Sequence, residues 1–112
     1  FDVTDSTFRT YLGSEGLGRS RWRYIAIRMI DESATEIWVD GVRDLRTPHG
    51  FRMETNSAAI EVGRNGGCDN EHLDGAIDEI RIHNLARSVL WIETQHRSMT
   101  DGLLTYQTPE RI

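Results

Sequence analysis

The run RWRYIAIRMIDESATEIWVDGVRDL, residues 21–45, constrains the fold more than any other part of this chain. Its opening alternates as an extended strand does. Trp22, Tyr24 and Ala26 fall on one face, and Ile25, Ile27 and Met29 on the other. Both faces are apolar, which predicts an inner strand packed on two sides. The polar DESA that follows predicts a turn. TEIWVD then alternates again, with Ile37 and Val39 opposite Glu36, Trp38 and Asp40. Asp40-Gly41 is a two-residue hairpin signal, because both central positions of a type I′ turn need positive φ and this pair tolerates it. A strand over residues 35–39 and a partner over 42–45 are therefore expected, paired antiparallel.

Elsewhere the signals are short strands and breakers. STFRTYLG alternates weakly before the Gly- and Ser-rich SEGLGRS. RTPHGF reads as a loop. AAIEVGRN reads as a strand with Ile60 and Val62 inward, closed by Gly63. NGGCDNEH is an irregular glycine-rich excursion, without the GxGxxG spacing of a phosphate cradle. GAIDEIRIHN reads as the last long strand, SVLWIETQHRS as a short helix with Ser88 as N-cap, and LLTYQT as a returning edge strand. Many short strands and one short C-terminal helix predict an all-β chain, an antiparallel β-sandwich. At 112 residues it is a single domain, 1–112.

Composition excludes several roles. A net charge of −5 argues against duplex nucleic acid as a partner, since such binders carry a basic face. No apolar run reaches the ~20 residues of a membrane-inserted helix. All 13 basic side chains are arginine, which removes lysine Schiff-base chemistry. The lone Cys68 cannot form an internal disulfide. A chain that opens at Phe1 is expected to be processed, or cut from something longer.

The order RWRYIAI, EIWVDG, AIEVGRN, LDGAIDEIRIHNLARSVLWI resembles the laminin-G-like, concanavalin A-like jelly-roll domains, especially bacterial ones from large secreted or surface proteins. The matching residues are Trp22, Tyr24 and Ala26; Trp38, Val39, Asp40 and Gly41; Ile60 and Gly63. They continue through Gly75, Ile77, Asp78, Glu79, Ile80, Arg81 and Ile82 to Ala86, Ser88 and Trp91. The match corresponds to the C-terminal half of a complete family domain. The resemblance thus implies a jelly roll incomplete at its N-terminus, with residues 1–20, another segment or another chain supplying the missing strands. Such a half sandwich leaves Ile25, Ile27, Ile37, Val39, Ile80 and Ile82 partly wet, each worth roughly 1.5–3 kcal/mol when fully buried. Its edges also present unpaired backbone, so self-association or completion from outside is expected.

The resemblance implies a non-catalytic extracellular or cell-surface module that binds glycan or protein through rim loops, at 31–34, 46–50 and 65–73. A structural subunit of a surface layer, filament or adhesin is the alternative. Related jelly rolls include glucanases, whose catalytic strand carries two carboxylates on one face. Here Ala76 stands in place of the first glutamate and Ile80 or Arg81 in place of the second. Strand alternation would also turn Asp78 and Glu79 to opposite faces, too far apart in direction for an acid–nucleophile pair. Candidate ligand-binding residues are Trp38, His49, Arg64 and Asn65. The resemblance implies a packing role for Trp38; the alternative, since it shares a face with Glu36 and Asp40, is an exposed ring for sugar stacking. The segment 68–74 reads first as a solvated polar loop; the alternative that the resemblance implies is calcium, with Asp69, Asn70 and Asp74 as its candidate ligands.

Overall fold

The computed structural model describes residues 2–3, 7–8, 12–14, 16, 18–53, 57, 59–64 and 72–104. A short antiparallel pair opens the chain, β1 (Asp2–Val3) with β2 (Thr7–Phe8). The main sheet is a meander of β3 (Ile25–Ile30), β4 (Ala34–Val39) and β5 (Val42–Pro48), in the order β3-β4-β5 and antiparallel throughout. One helix follows, α1 (Val89–Met99).

The predicted hairpin is present. Asp40 and Gly41 take φ of 51° and 79°, the two positive values a type I′ turn requires, and Val39 pairs with Val42 across it. Asp40 also locks the turn to the chain entering β3. Its backbone N–H donates to the Tyr24 carbonyl at 2.8 Å, its carboxylate accepts from the Tyr24 N–H at 3.0 Å, and Arg23 pairs with it. The β4–β5 register slips between Ile37 and Trp38, so that Ile37 opposes Leu45 while Trp38 opposes Arg43. Asp44 is the extra residue of this bulge, and its carboxylate receives the Ser14 N–H at 2.7 Å and the Ser14 hydroxyl.

Ser88 caps α1 as its type predicts, its hydroxyl oxygen accepting from the Trp91 N–H at 3.1 Å. His96 and Arg97 in the last turn suit the negative end of the helix dipole. The helix lies on the sheet face that carries Tyr24, Arg28, Glu36 and Trp38. His96 stacks near Tyr24 with centroids 6.0 Å apart, and Arg28 donates to the Arg87 carbonyl at 2.9 Å. Ala34, Trp38, Val39 and Ile92 are the buried apolar residues among those described.

Several expectations are corrected. β3 is an edge of this sheet and β4 its centre, although both faces of β3 read as apolar. Residues 46–48 belong to β5 rather than to a loop; Pro48 ends an edge strand, where its missing donor is tolerated. Residues 59–63 and 75–83 form no ladder. Ile60 and Val62 are exposed, as are Ile77, Ile80 and Ile82. An isolated antiparallel bridge joins Arg64 and His72, with Leu73 N–H donating to the Gly63 carbonyl at 2.7 Å. Alternation records which side a strand would bury, but a strand persists only where a partner accepts its backbone hydrogen bonds. The expected edge strand from LLTYQT lies mostly outside the described residues, and Leu103 and Leu104 form none.

Candidate functional site

The β3–β4 turn and the chain leaving β5 meet at one end of the sheet and brace each other. Ile30 pairs with Ala34, and Ala34 with Pro48, so the meander itself brings residues 31–33 beside 49–53. Glu32 takes φ of 52° and donates its N–H to the Phe51 carbonyl at 2.8 Å, while the His49 N–H donates to the Ser33 carbonyl at 2.8 Å. Side chains repeat the bracing. Arg52 donates to Glu32 at 2.8 Å, and Asp31 accepts from the Met53 N–H at 3.3 Å.

Two rings stack on this rim. His49 and Phe51 lie with centroids 3.7 Å apart and planes 7° from parallel. They stand at i and i+2 around Gly50, which puts both on one side of an extended chain. Nε2 of His49 lies 3.2 Å from the Thr35 hydroxyl, whereas Nδ1 is buried without a partner among the described residues. Exposed Asp31, Glu32 and Arg52 lie on the same rim. The Glu32 carboxylate beside Arg52 raises the guanidinium pKa still further above its ordinary value. The chemistry offered is a flat ring flanked by acceptors and planar donors.

Behind the rim lies a buried ion network. Glu36 is 1% exposed. One of its oxygens accepts from Arg28 Nε at 2.9 Å and Trp38 Nε1 at 3.1 Å; the other faces Arg46 Nε at 3.3 Å and Arg43 at 3.4 Å. Arg28, Glu36 and Arg46 form one cross-sheet row, because register pairs them. Burial pushes the Glu36 carboxyl pKa up, but hydrogen bonds from Trp38 and Arg28 and the charges of Arg28 and Arg43 outweigh it, so the net shift is downward. At the far end of the sheet, an open cleft of about 440 Å³ lies between the β4–β5 hairpin, Ser14 and Arg23.

The sequence candidates are thus divided. His49 sits on the rim, and the loops at 31–34 and 46–50 meet there as expected. Trp38 does not: it is 5% exposed, turned under the sheet by its bond to Glu36 and covered by Arg28, whose guanidinium lies 6.0 Å from its ring centroid. The packing role implied for Trp38 holds, and the alternative of an exposed stacking ring is corrected. Arg64 pairs with Glu61 at 2.9 Å and reaches no rim residue among those described. Asn65, Asp69 and Asn70 lie outside the described residues, and Asp74 is exposed. Among the described residues no three His, Cys, Asp or Glu side chains gather as a metal site. Phe51 was missed by one position; the signal was the ring–glycine–ring pattern of HGF. At Asp78 the expected reason also changes. Glu79 takes φ of 54°, so no pleat alternates there; it pairs with Arg81 at 2.9 Å, while Asp78 accepts from the Glu79 N–H at 2.9 Å.

A laminin G family model, Laminin_G_3, described as concanavalin A-like lectin/glucanases superfamily, matches residues 1–93. The chain belongs to this superfamily. Its fold class is accordingly the antiparallel β-sandwich, of which the described residues form a two-stranded pair, a three-stranded sheet and one helix. A crystal structure of an S-layer domain-containing protein from Clostridium thermocellum ATCC 27405 is similar, with a TM-score of 0.63 and 19% identity. The match covers 75% of this concanavalin A-like chain and 43% of the crystallised one. At that identity the likeness is one of fold. No curated protein sequence matches the chain.

Proposed function

We propose that this concanavalin A-like chain is a non-catalytic recognition module of a surface or extracellular protein, and that it takes glycan or protein on the rim built from residues 31–33 and 49–53. The observation that carries the reading is the stacked His49–Phe51 pair with Asp31, Glu32 and Arg52 on the same rim. Aromatic rings match the C–H faces of sugars, and charged groups beside them supply orientation. The lectin membership of the superfamily and the S-layer relative support the surface setting. Ala76, and Ile80 or Arg81, where the related glucanases place carboxylates, support a role without hydrolysis.

A glycan array followed by calorimetry tests this. The expected result is binding of a defined glycan class that Phe51→Ala weakens at least tenfold, about 1.4 kcal/mol. Binding indifferent to both Phe51→Ala and His49→Ala would remove the rim from the account. Release of reducing sugar from β-glucans, abolished by Glu79→Gln, would make the chain an enzyme instead. A structural role is the second reading, favoured by the exposed Ile25, Ile27 and Val42 on one face of the sheet.

A further inference from the structure

The bulge in β5 re-aims an arginine. Arg43 and Arg46 stand three apart, a spacing that plain alternation sends to opposite faces of a sheet. The extra residue Asp44 resets the alternation. Arg43 therefore lies opposite Trp38 and Arg46 opposite Glu36, two β4 residues that share a face. Both guanidiniums converge on one oxygen of Glu36, Arg46 Nε at 3.3 Å and Arg43 at 3.4 Å. That carboxylate is already neutralised. Arg28 holds its other oxygen at 2.8 and 2.9 Å, and Trp38 donates to the same oxygen at 3.1 Å. Among the described residues three guanidiniums thus face one carboxylate, and the two on β5 are the surplus. Their side chains are 49% and 39% exposed, against 15% for Arg28.

We propose that Arg43 and Arg46 form an anion site that reads the carboxylate of an acidic glycan, one carrying uronic acid residues. The proposal rests on the rim reading and names the class of its ligand. Arg46 also reaches the Ser33 hydroxyl at 3.5 Å, so the arginine pair adjoins the 31–33 turn of the rim. A guanidinium offers five N–H donors in a planar fork that matches a carboxylate. The long contacts to Glu36 leave most donors of Arg43 and Arg46 to an incoming acid. Beneath them Trp38 and Glu36 are buried, so an ion pair formed there is screened less than one in open water. The local excess of positive charge stands against a chain that carries −5 overall. Asp44, the acidic residue between the two arginines, is engaged by the Ser14 N–H and hydroxyl. The Ser33 hydroxyl favours a glycan over an acidic peptide. A uronic acid flanks its carboxylate with ring oxygen and hydroxyls that a serine can bond, whereas Asp and Glu side chains set theirs on bare methylene stems.

Calorimetry of the 112-residue chain tests this with oligosaccharides of glucuronic, galacturonic and mannuronic acid, a neutral β-glucan oligosaccharide and a polyglutamate peptide. The expected result is that one uronic oligosaccharide binds at least tenfold tighter than the neutral sugar, and more weakly as salt rises. Arg43→Gln and Arg46→Gln are each expected to remove that preference. Arg43→Lys keeps the charge without the fork and is expected to restore only part of it. Arg64→Gln, whose partner is Glu61, removes the same charge elsewhere and is expected to leave the preference intact. Equal affinity for acidic and neutral sugars overturns the proposal. So does a preference that survives both Arg43→Gln and Arg46→Gln, or tighter binding of polyglutamate than of any sugar. Neutral-sugar binding that Phe51→Ala weakens and the arginine variants do not would sink this proposal alone and leave the rim reading standing. Uronate binding that needs both arginines but neither His49 nor Phe51 would do the reverse.

Discussion

Glu36 is nearly waterless, and burial by itself favours its neutral acid. The charge survives because Trp38 and Arg28 donate to it and Arg28, Arg43 and Arg46 surround it. Removing it strands Arg28, whose side chain is 15% exposed. Glu36→Gln is expected to cost roughly 3–5 kcal/mol in urea unfolding, the usual penalty for breaking a buried pair from one side. A loss under about 1 kcal/mol would mean that water or Arg43 compensates. The same group sets an acid dependence. Asp40 is also lowered, since burial raises its pKa but the Arg23 and Tyr24 hydrogen bonds outweigh that. Both carboxyls have folded values below their unfolded ones. Their stabilisation is therefore present above about pH 4 and is lost as pH falls through the folded values. Stability measured from neutral to acid pH is expected to fall over that window, and less steeply in Glu36→Gln.

At the level of elements, the hairpin and the helix depend on single backbone positions. Gly41 holds φ of 79°, and a Cβ there would sit 3.0 Å from His96 Nδ1. Gly41→Ala thus meets both left-handed strain of about 1–2 kcal/mol and a crowded helix. Gly50, with nothing within 4 Å and no positive φ, is the control: Gly50→Ala is expected to leave Tm within error, and equal melts for the two variants would refute the argument. Ser88→Ala removes the cap of α1 and is expected to cost about 1 kcal/mol. Unfolding followed through Trp91, which faces His83 edge-on and lies under Arg87, reads that loss where it occurs.

At the largest scale, the described residues form a two-stranded pair, a three-stranded sheet and a helix against the face of that sheet that carries Arg28 and Glu36. Calcium is decided at this scale by a melt. A rise in Tm with millimolar Ca²⁺, lost in Asp74→Asn, supports the metal; coincident melts with Ca²⁺ and with EDTA end it. What local pattern determined was the part held by neighbours in sequence: the Asp40-Gly41 turn, the antiparallel meander and the Ser88-capped helix. Their hydrogen bonds close over a few residues, so residue type alone selects them. The ladders expected over 59–63 and 75–83 needed distant partners, which no periodicity in those segments can supply. Tertiary structure decided the rest. It turned Trp38 inward, where its indole N–H donates to the buried Glu36 carboxylate, and it brought residues 31–33 beside the His49–Phe51 pair on the rim. Burial and charge compensation depend on what comes to lie across the sheet, and that is a property of the folded chain.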